Sequence, residues 1–143
     1  MAKAPRARLG TPPVLLALLL AQACGEAPAG SPEVITSRNV SYRRDVQPLF
    51  DARCTSGACH GGRSNERIDL TPGASHATLV GGRSQLDASL RLVAPGDPGA
   101  SLLWLKLTGT PPVGKRMPPK GKPLEADAVA VIEAWILAGA PDN

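Results

Sequence analysis

The feature that most constrains this chain of 143 residues is the run CTSGACHGG, residues 54–62. It places Cys54 and Cys59 five positions apart, and His60 follows the second cysteine directly. In an oxidising compartment two such thiols do not usually stay free. The location of the protein therefore decides how this run is to be interpreted.

The N-terminus predicts export. Three basic residues within the first eight precede VLLALLLA, an uncharged apolar run that is too short to span a bilayer as a stable helix. Residues 1–23 are therefore predicted to be a signal peptide. Ala21 and Ala23 form an A-x-A cleavage site, and Cys24 stands where a bacterial lipoprotein carries its lipid. We expect a protein of the cell envelope, either anchored to a membrane through Cys24 or soluble in the periplasm.

Export also changes what the charge implies. The formal charge is +4, but three of the sixteen basic residues lie in the predicted signal peptide, which leaves thirteen against twelve acidic residues. The mature chain is close to neutral, and it has no basic motif interleaved with aromatic residues. Nucleic acid is therefore not an expected partner.

The mature chain divides into a tether and one small domain. Residues 24–40 are rich in Gly, Ala, Pro and Ser and lack apolar periodicity, so they are predicted to be a flexible tether. Residues 41–141 are enough for one domain with one hydrophobic core. No internal repeat is visible.

Apolar spacing and capping residues predict an all-α domain of three to four helices joined by long irregular loops. The first helix starts near Ser41 and kinks or restarts at Pro48, because proline lacks an amide hydrogen. A short helix is expected around residues 75–80. The next is opened by Asp97 and Pro98 and ends at Gly109, and the last follows Pro123, with Leu124, Ala128, Val131, Ile132, Trp135 and Ile136 on one stripe, and ends at Gly139. With only four aromatic residues, such a chain would gain from packing around a large apolar cofactor.

The chemistry of residues 54–62 fits a c-type haem, which is held by thioether bonds from two cysteines while the adjacent histidine binds the iron. Cys59 and His60 are contiguous, as this arrangement requires. The interval of four residues between the cysteines is longer than the usual two, so the extra residues must bulge outward. Gly57 tolerates positive φ and would permit the bulge, and Gly61 and Gly62 would let the chain pass the porphyrin edge.

A second iron ligand is available in KRMPPKGKP, residues 115–123. Met117 is the only methionine besides Met1, and its thioether is a soft, neutral donor that raises the reduction potential of a haem iron. Pro118 and Pro119 restrict the backbone beside it. The basic residues of this stretch, Lys115, Arg116, Lys120 and Lys122, would form either a solvated face or a rim that binds an acidic redox partner or the haem propionates.

The order of these motifs resembles the small cytochrome c family, and most of all the lipoprotein-type domains of some bacteria. The resemblance covers about residues 41–141 and rests on a first helix with Val46, Pro48, Leu49 and Phe50, then CxxxxCHGG, a long loop, RMPP and a C-terminal helix that contains a tryptophan and ends in AGA. It implies a cytochrome c-like fold with Phe50 against Trp135 where the first and last helices meet. The four-residue interval between the cysteines departs from the usual two-residue motif of the family.

The resemblance further implies one covalent haem c, attached through Cys54 and Cys59, with His60 as the proximal and Met117 as the distal ligand. A protein of this kind is an electron carrier rather than an enzyme, alone or as a subunit of a larger oxidoreductase. Its partners would be redox proteins of the periplasm or the membrane.

Other interpretations remain open from the sequence. The cysteines could form a disulfide in a haem-free surface binding module, and an enzyme could leave the sixth position of the iron open. His76 is the rival distal ligand, and Trp135 could line the haem pocket as well as the core. Zinc would need four ligands, and only Cys54, Cys59, His60 and His76 could serve.

Overall fold

The structure is a computed structural model that describes residues 40–56, 59–62 and 68–143. The predicted signal peptide, all but the last residue of the predicted tether, and Gly57 lie outside the described residues. Among the helices of the described residues, none is long and apolar enough to cross a membrane.

The first helical segment is capped as predicted by Ser41, whose hydroxyl oxygen accepts a hydrogen bond from the Arg44 amide at 3.3 Å. Tyr42–Val46 is a π-helical turn, and helix α1, Gln47–Arg53, follows it with Pro48 in its first turn. Proline is tolerated at this position because the first amides of a helix need no partner within it. The wider turn and the new start at Gln47 are the restart that Pro48 predicts.

Three further helices complete the described chain: α2, Ser75–Gly81; α3, Leu102–Thr108; and α4, Ala126–Leu137. The described residues contain two isolated bridges, at Arg83 and Arg91 and at Ala94 and Asp97, but no strand. The prediction of an all-α domain with long loops is confirmed at this level. The expected ends of α3 and α4 are also confirmed, since Gly109 and Gly139 both have positive φ just beyond them.

The predicted start of α3 is wrong. Asp97 does not cap this helix, which begins at Leu102 with Ser101 before it. The Asp97 carboxylate instead accepts a hydrogen bond from the Ala100 amide at 3.0 Å, and the Ser101 hydroxyl donates to the Asp97 carbonyl at 2.7 Å. The aspartate and proline therefore form a separate turn, because a short polar side chain can bind its own neighbouring backbone instead of a helix end.

The core is centred on α4, where Ile132, Trp135 and Ile136 are fully buried. Aromatic packing runs through Tyr42, whose ring centroid lies 5.0 Å from that of Trp135 and 6.4 Å from that of Phe50. The first and last helical segments do meet in this core, but Tyr42, rather than the Phe50 of the prediction, makes the ring contact with Trp135. The Tyr42 hydroxyl donates to the Ser75 hydroxyl at 2.6 Å, which ties α2 to the same core.

Candidate haem site

In the Cys–His loop, residues 54–62, the described residues 54–56 and 59–62 fold back on the end of α1. The Cys54 amide donates to the Phe50 carbonyl at 2.7 Å as the last bond of that helix, and the His60 amide donates to the Cys54 carbonyl at 2.9 Å. A further bond joins the Cys59 amide to the Ser56 carbonyl at 3.1 Å. These bonds bring His60 beside Cys54 despite the long interval between the cysteines.

The imidazole of His60 is oriented by the backbone. Its Nδ1 lies 2.9 Å from the carbonyl oxygen of Ile68, and the Leu70 amide donates to the His60 carbonyl at 2.9 Å. A carbonyl can only accept, so Nδ1 carries the hydrogen and the neutral ring keeps its lone pair on Nε2. This is the arrangement in which a histidine is prepared to bind a metal through Nε2.

The two glycines after His60 have structural roles within the chain itself. A Cβ on Gly61 would lie 2.6 Å from the Thr55 carbonyl oxygen, so the chain passes too close to Thr55 for any side chain. Gly62 has φ +72°, and a Cβ there would lie 2.8 Å from a carboxylate oxygen of Asp69. The pair is required by the chain's own packing, whether or not a porphyrin edge lies beside it.

Met117 lies in the same region, although it comes much later in the sequence than His60. Its amide donates to the Lys106 carbonyl at 2.8 Å, which fixes the methionine loop, residues 113–117, against α3. The Met117 side chain is half-buried and packs against the edge of the core.

One cavity of about 330 Å³ is lined by all four predicted site residues: Cys54, Cys59, His60 and Met117. Leu107, Pro118, Pro119 and Leu86 supply apolar parts of its wall. Its volume lies at the low end of the range of roughly 300–1,000 Å³ that is usual for small-molecule sites.

The charged side chains on this cavity are all cationic. Arg53, Lys106 and Lys115 line it, and no acidic residue of the described chain does. Burial raises the pKa of the Cys54 thiol from its ordinary value of 9.0 to about 11, against a smaller lowering by Arg53 and a small further rise from Cys59. Cys54 is therefore a neutral thiol in a largely apolar place, and both cysteines are free thiols.

Two other candidates lie elsewhere. The Nε2 of His76 lies 2.9 Å from the Ala140 carbonyl, and its ring packs on Tyr42 with centroids 4.9 Å apart. His76 lines a different cavity, with Tyr42, and is not brought to His60. Trp135 donates from Nε1 to the Pro141 carbonyl at 3.0 Å and is a core residue rather than a wall of the candidate haem site.

Some participants were not predicted from the sequence. The carbonyl of Ile68 has no sequence signal, because any residue offers a carbonyl. Lys106 does leave a signal, since it is the only charged residue in the apolar helix LLWLKLT. Leu86 lies in a loop that sequence patterns left irregular, yet it lines the cavity with 69% of its surface exposed.

The residues present fit a haem in two respects. The donor set comprises two thiols, an imidazole and a thioether on one cavity. In addition, Trp104 Nε1 and Arg116 Nη2 are buried without a hydrogen-bond partner among the described residues. Arg116 stands between Lys115 and Met117, which line the cavity, and Trp104 is two positions before Lys106, which also lines it. Buried donors of this kind call for an acceptor, and the carboxylates of a haem would be suitable acceptors. Among the described residues there is no group of three or more His, Cys, Asp and Glu side chains that could hold a metal ion.

Comparison of this chain with protein-family models, with curated proteins and with solved structures found no match. The interpretation of the site therefore depends on its residues and their geometry.

Proposed function

We propose that this chain is a monohaem c-type cytochrome of the bacterial cell envelope that carries single electrons between redox proteins. The observation that carries the proposal is the convergence of Cys54, Cys59, His60 and Met117 on one cavity, although 57 positions separate the last two. Chance placement of four suitable donors around one cavity is a poor explanation when the only methionine beyond Met1 is among them.

Each donor has one role in this proposal. The thiols of Cys54 and Cys59 would hold the haem through thioether bonds, and the Nε2 of His60 and the sulfur of Met117 would bind its iron. When bound, the haem supplies an iron that cycles between Fe(III) and Fe(II). The Ile68 carbonyl holds the Nδ1 hydrogen of His60, so the imidazole keeps the tautomer and orientation that ligation requires.

The charges around the cavity would favour the reduced state, Fe(II), of a haem iron bound there. Fe(III) carries one more positive charge than Fe(II), and the nearby cations Arg53, Lys106 and Lys115 therefore disfavour it. The neutral thioether of Met117 acts in the same direction. The same cations suit the negatively charged carboxylates of the haem.

The amount of haem that stays covalently bound to the chain tests the proposal. The full chain is expressed together with a c-type maturation system, purified, denatured, and examined as a pyridine haemochrome. We expect about one haem per chain to be retained after denaturation, and none in the double variant Cys54→Ser, Cys59→Ser. Wild-type protein without covalently retained haem would refute the proposal.

The axial ligand is tested in the purified haem protein. Met117→Ala should abolish the long-wavelength sulfur-to-iron absorption band while the haem stays attached, because the thioethers are unaffected. The matched control is His76→Ala, which should keep the band because His76 binds the Ala140 carbonyl. A band that survives Met117→Ala would exclude Met117 as the ligand.

A further inference from the structure

The methionine loop is attached to α3 by three hydrogen bonds that all involve Lys106. The Lys106 ammonium donates to the Val113 carbonyl at 3.0 Å and to the Lys115 carbonyl at 3.1 Å. The Met117 amide donates to the Lys106 carbonyl at 2.8 Å. Lys106 thus binds the loop at three residues: Val113, Lys115 and Met117 itself.

The ammonium of Lys106 is committed to this loop. It has no ion pair with a carboxylate of the described residues, and burial lowers its pKa because a charged group loses hydration there. Two backbone carbonyls replace part of that hydration. Hydrogen bonds from a charged donor are stronger than those between neutral groups, so this contact can hold a loop that has no helix or strand of its own.

Gly114 makes the close approach possible. It has φ +68°, and a Cβ there would lie 3.1 Å from the Lys106 ammonium and 2.9 Å from the side chain of Leu86. Any other residue at position 114 would be strained by this φ, and its Cβ would crowd the Lys106 ammonium. Lysine and glycine therefore act as a pair, although they are eight positions apart in the sequence.

We propose that Lys106 is the positioning residue for Met117: by binding the carbonyls of Val113 and Lys115 it sets the place of the methionine at the cavity. Pro118 and Pro119 restrict the backbone after Met117, and Lys106 restricts it before. That Met117 then binds a haem iron rests on the proposed function. The role of Lys106 in holding the loop does not.

Three variants of the full-length purified protein test this role. Lys106→Met keeps the length of the side chain and removes the donor, and Lys106→Arg restores a cationic donor. The control is Lys122→Met, the same change at an exposed lysine five positions after Met117. Two quantities are measured in each: the hydrogen exchange rate of the Met117 amide and the long-wavelength sulfur-to-iron band. Exchange reports on the bond to the Lys106 carbonyl, and the band reports on the position of the sulfur.

Lys106→Met should speed exchange of the Met117 amide by about tenfold or more, since a charge-assisted contact that closes this loop is lost. It should also weaken the band. Lys106→Arg should recover much of both, and Lys122→Met should resemble wild type. Wild-type exchange and an undiminished band in Lys106→Met would overturn the proposal.

A second variant keeps the test decisive if Lys106→Met does not fold. Gly114→Ala leaves Lys106 in place but strains the backbone at φ +68° and crowds the ammonium, so it should weaken the contact and speed exchange in the same direction. Normal exchange in Gly114→Ala would also count against the proposal. Failure of the proposed function looks different: the purified chain would carry no haem and no band, while amide exchange would still decide whether Lys106 holds the loop.

Discussion

Gly61 allows a sharp test of how the Cys–His loop is built. In Gly61→Ala the new Cβ would lie 2.6 Å from the Thr55 carbonyl oxygen, a distance that real Cβ atoms essentially never show. The φ of Gly61 is not in the left-handed region, so the cost of alanine is steric and not conformational. The clash involves backbone, which cannot move aside as the end of a flexible side chain can.

The size of the effect follows from what holds Thr55. Its amide donates to the Phe50 carbonyl at 3.1 Å, and its hydroxyl donates to the Asp51 carbonyl at 3.0 Å, so relief of the clash requires either the end of α1 or the Cys–His loop to move. Overpacking of this kind costs about 1–3 kcal/mol. The matched control is Gly81→Ala at the last residue of α2, where a Cβ meets nothing within 4 Å. There alanine should stabilise the fold by about 0.5–1 kcal/mol, because glycine is a poor helix former.

Urea unfolding followed by circular dichroism measures both variants on the purified protein. With a slope of about 1–3 kcal/mol per molar urea, the midpoint should fall by roughly 1 M in Gly61→Ala and rise by a few tenths molar in Gly81→Ala. Haem retention should also fall in Gly61→Ala, since His60 directly precedes the displaced residue. A midpoint for Gly61→Ala at or above that of wild type, with an unchanged slope, would show that the loop does not pass Thr55 as described.

Three further predictions concern charge. In the haem-free chain, the Cys54 thiol should be alkylated at pH 8 about a hundredfold more slowly than in urea, because its pKa of about 11 lies two units above the ordinary 9.0; equal rates in a Cys59→Ser background would contradict this. Since the folded thiol ionises at higher pH than the unfolded one, the stability due to Cys54 is present below about pH 9 and is lost as the pH rises toward 11, which urea midpoints across that range can check. Replacing the exposed Lys120 and Lys122 by glutamate should slow electron transfer to an acidic partner by about tenfold at low salt and flatten its salt dependence. An unchanged rate would contradict the interpretation of these lysines as part of a surface that binds an acidic redox partner.

The helices could be predicted where a local signal had no competitor. The apolar stripe of α4 and the glycine after it act through neighbouring residues alone, and the helix has the expected end. Asp97 shows the limit: the same carboxylate can cap a helix or close a turn, and only the Ser101 hydroxyl, which bonds back to the Asp97 carbonyl, decides in favour of the turn. Phe50 likewise could be predicted to be buried, but not that Tyr42 would take the place against Trp135.

The candidate site divides in the same way. Cys54, Cys59 and His60 could be identified because they are close in sequence, and Met117 because its loop is bounded by prolines. What orients them could not be identified. The Ile68 carbonyl lies eight positions from His60, and the Lys106 ammonium binds carbonyls seven and nine positions away, and no periodicity in the sequence indicates which of these groups meet.

The distribution of apolar side chains bears on what the cavity beside Met117 could hold. Three of the four aromatic residues, Tyr42, Phe50 and Trp135, are buried in the core around α4, and the fourth, Trp104 of α3, is only partly buried. Leu86 lines the cavity there and stays 69% exposed, and its place is fixed because its amide donates to the buried Ser84 hydroxyl at 3.2 Å. Because this leucine is exposed to water, it does not gain the free energy of burial, which is about 25 cal/mol for each Å² of apolar surface. A large apolar ligand between Leu86 and the Cys–His loop would recover that free energy.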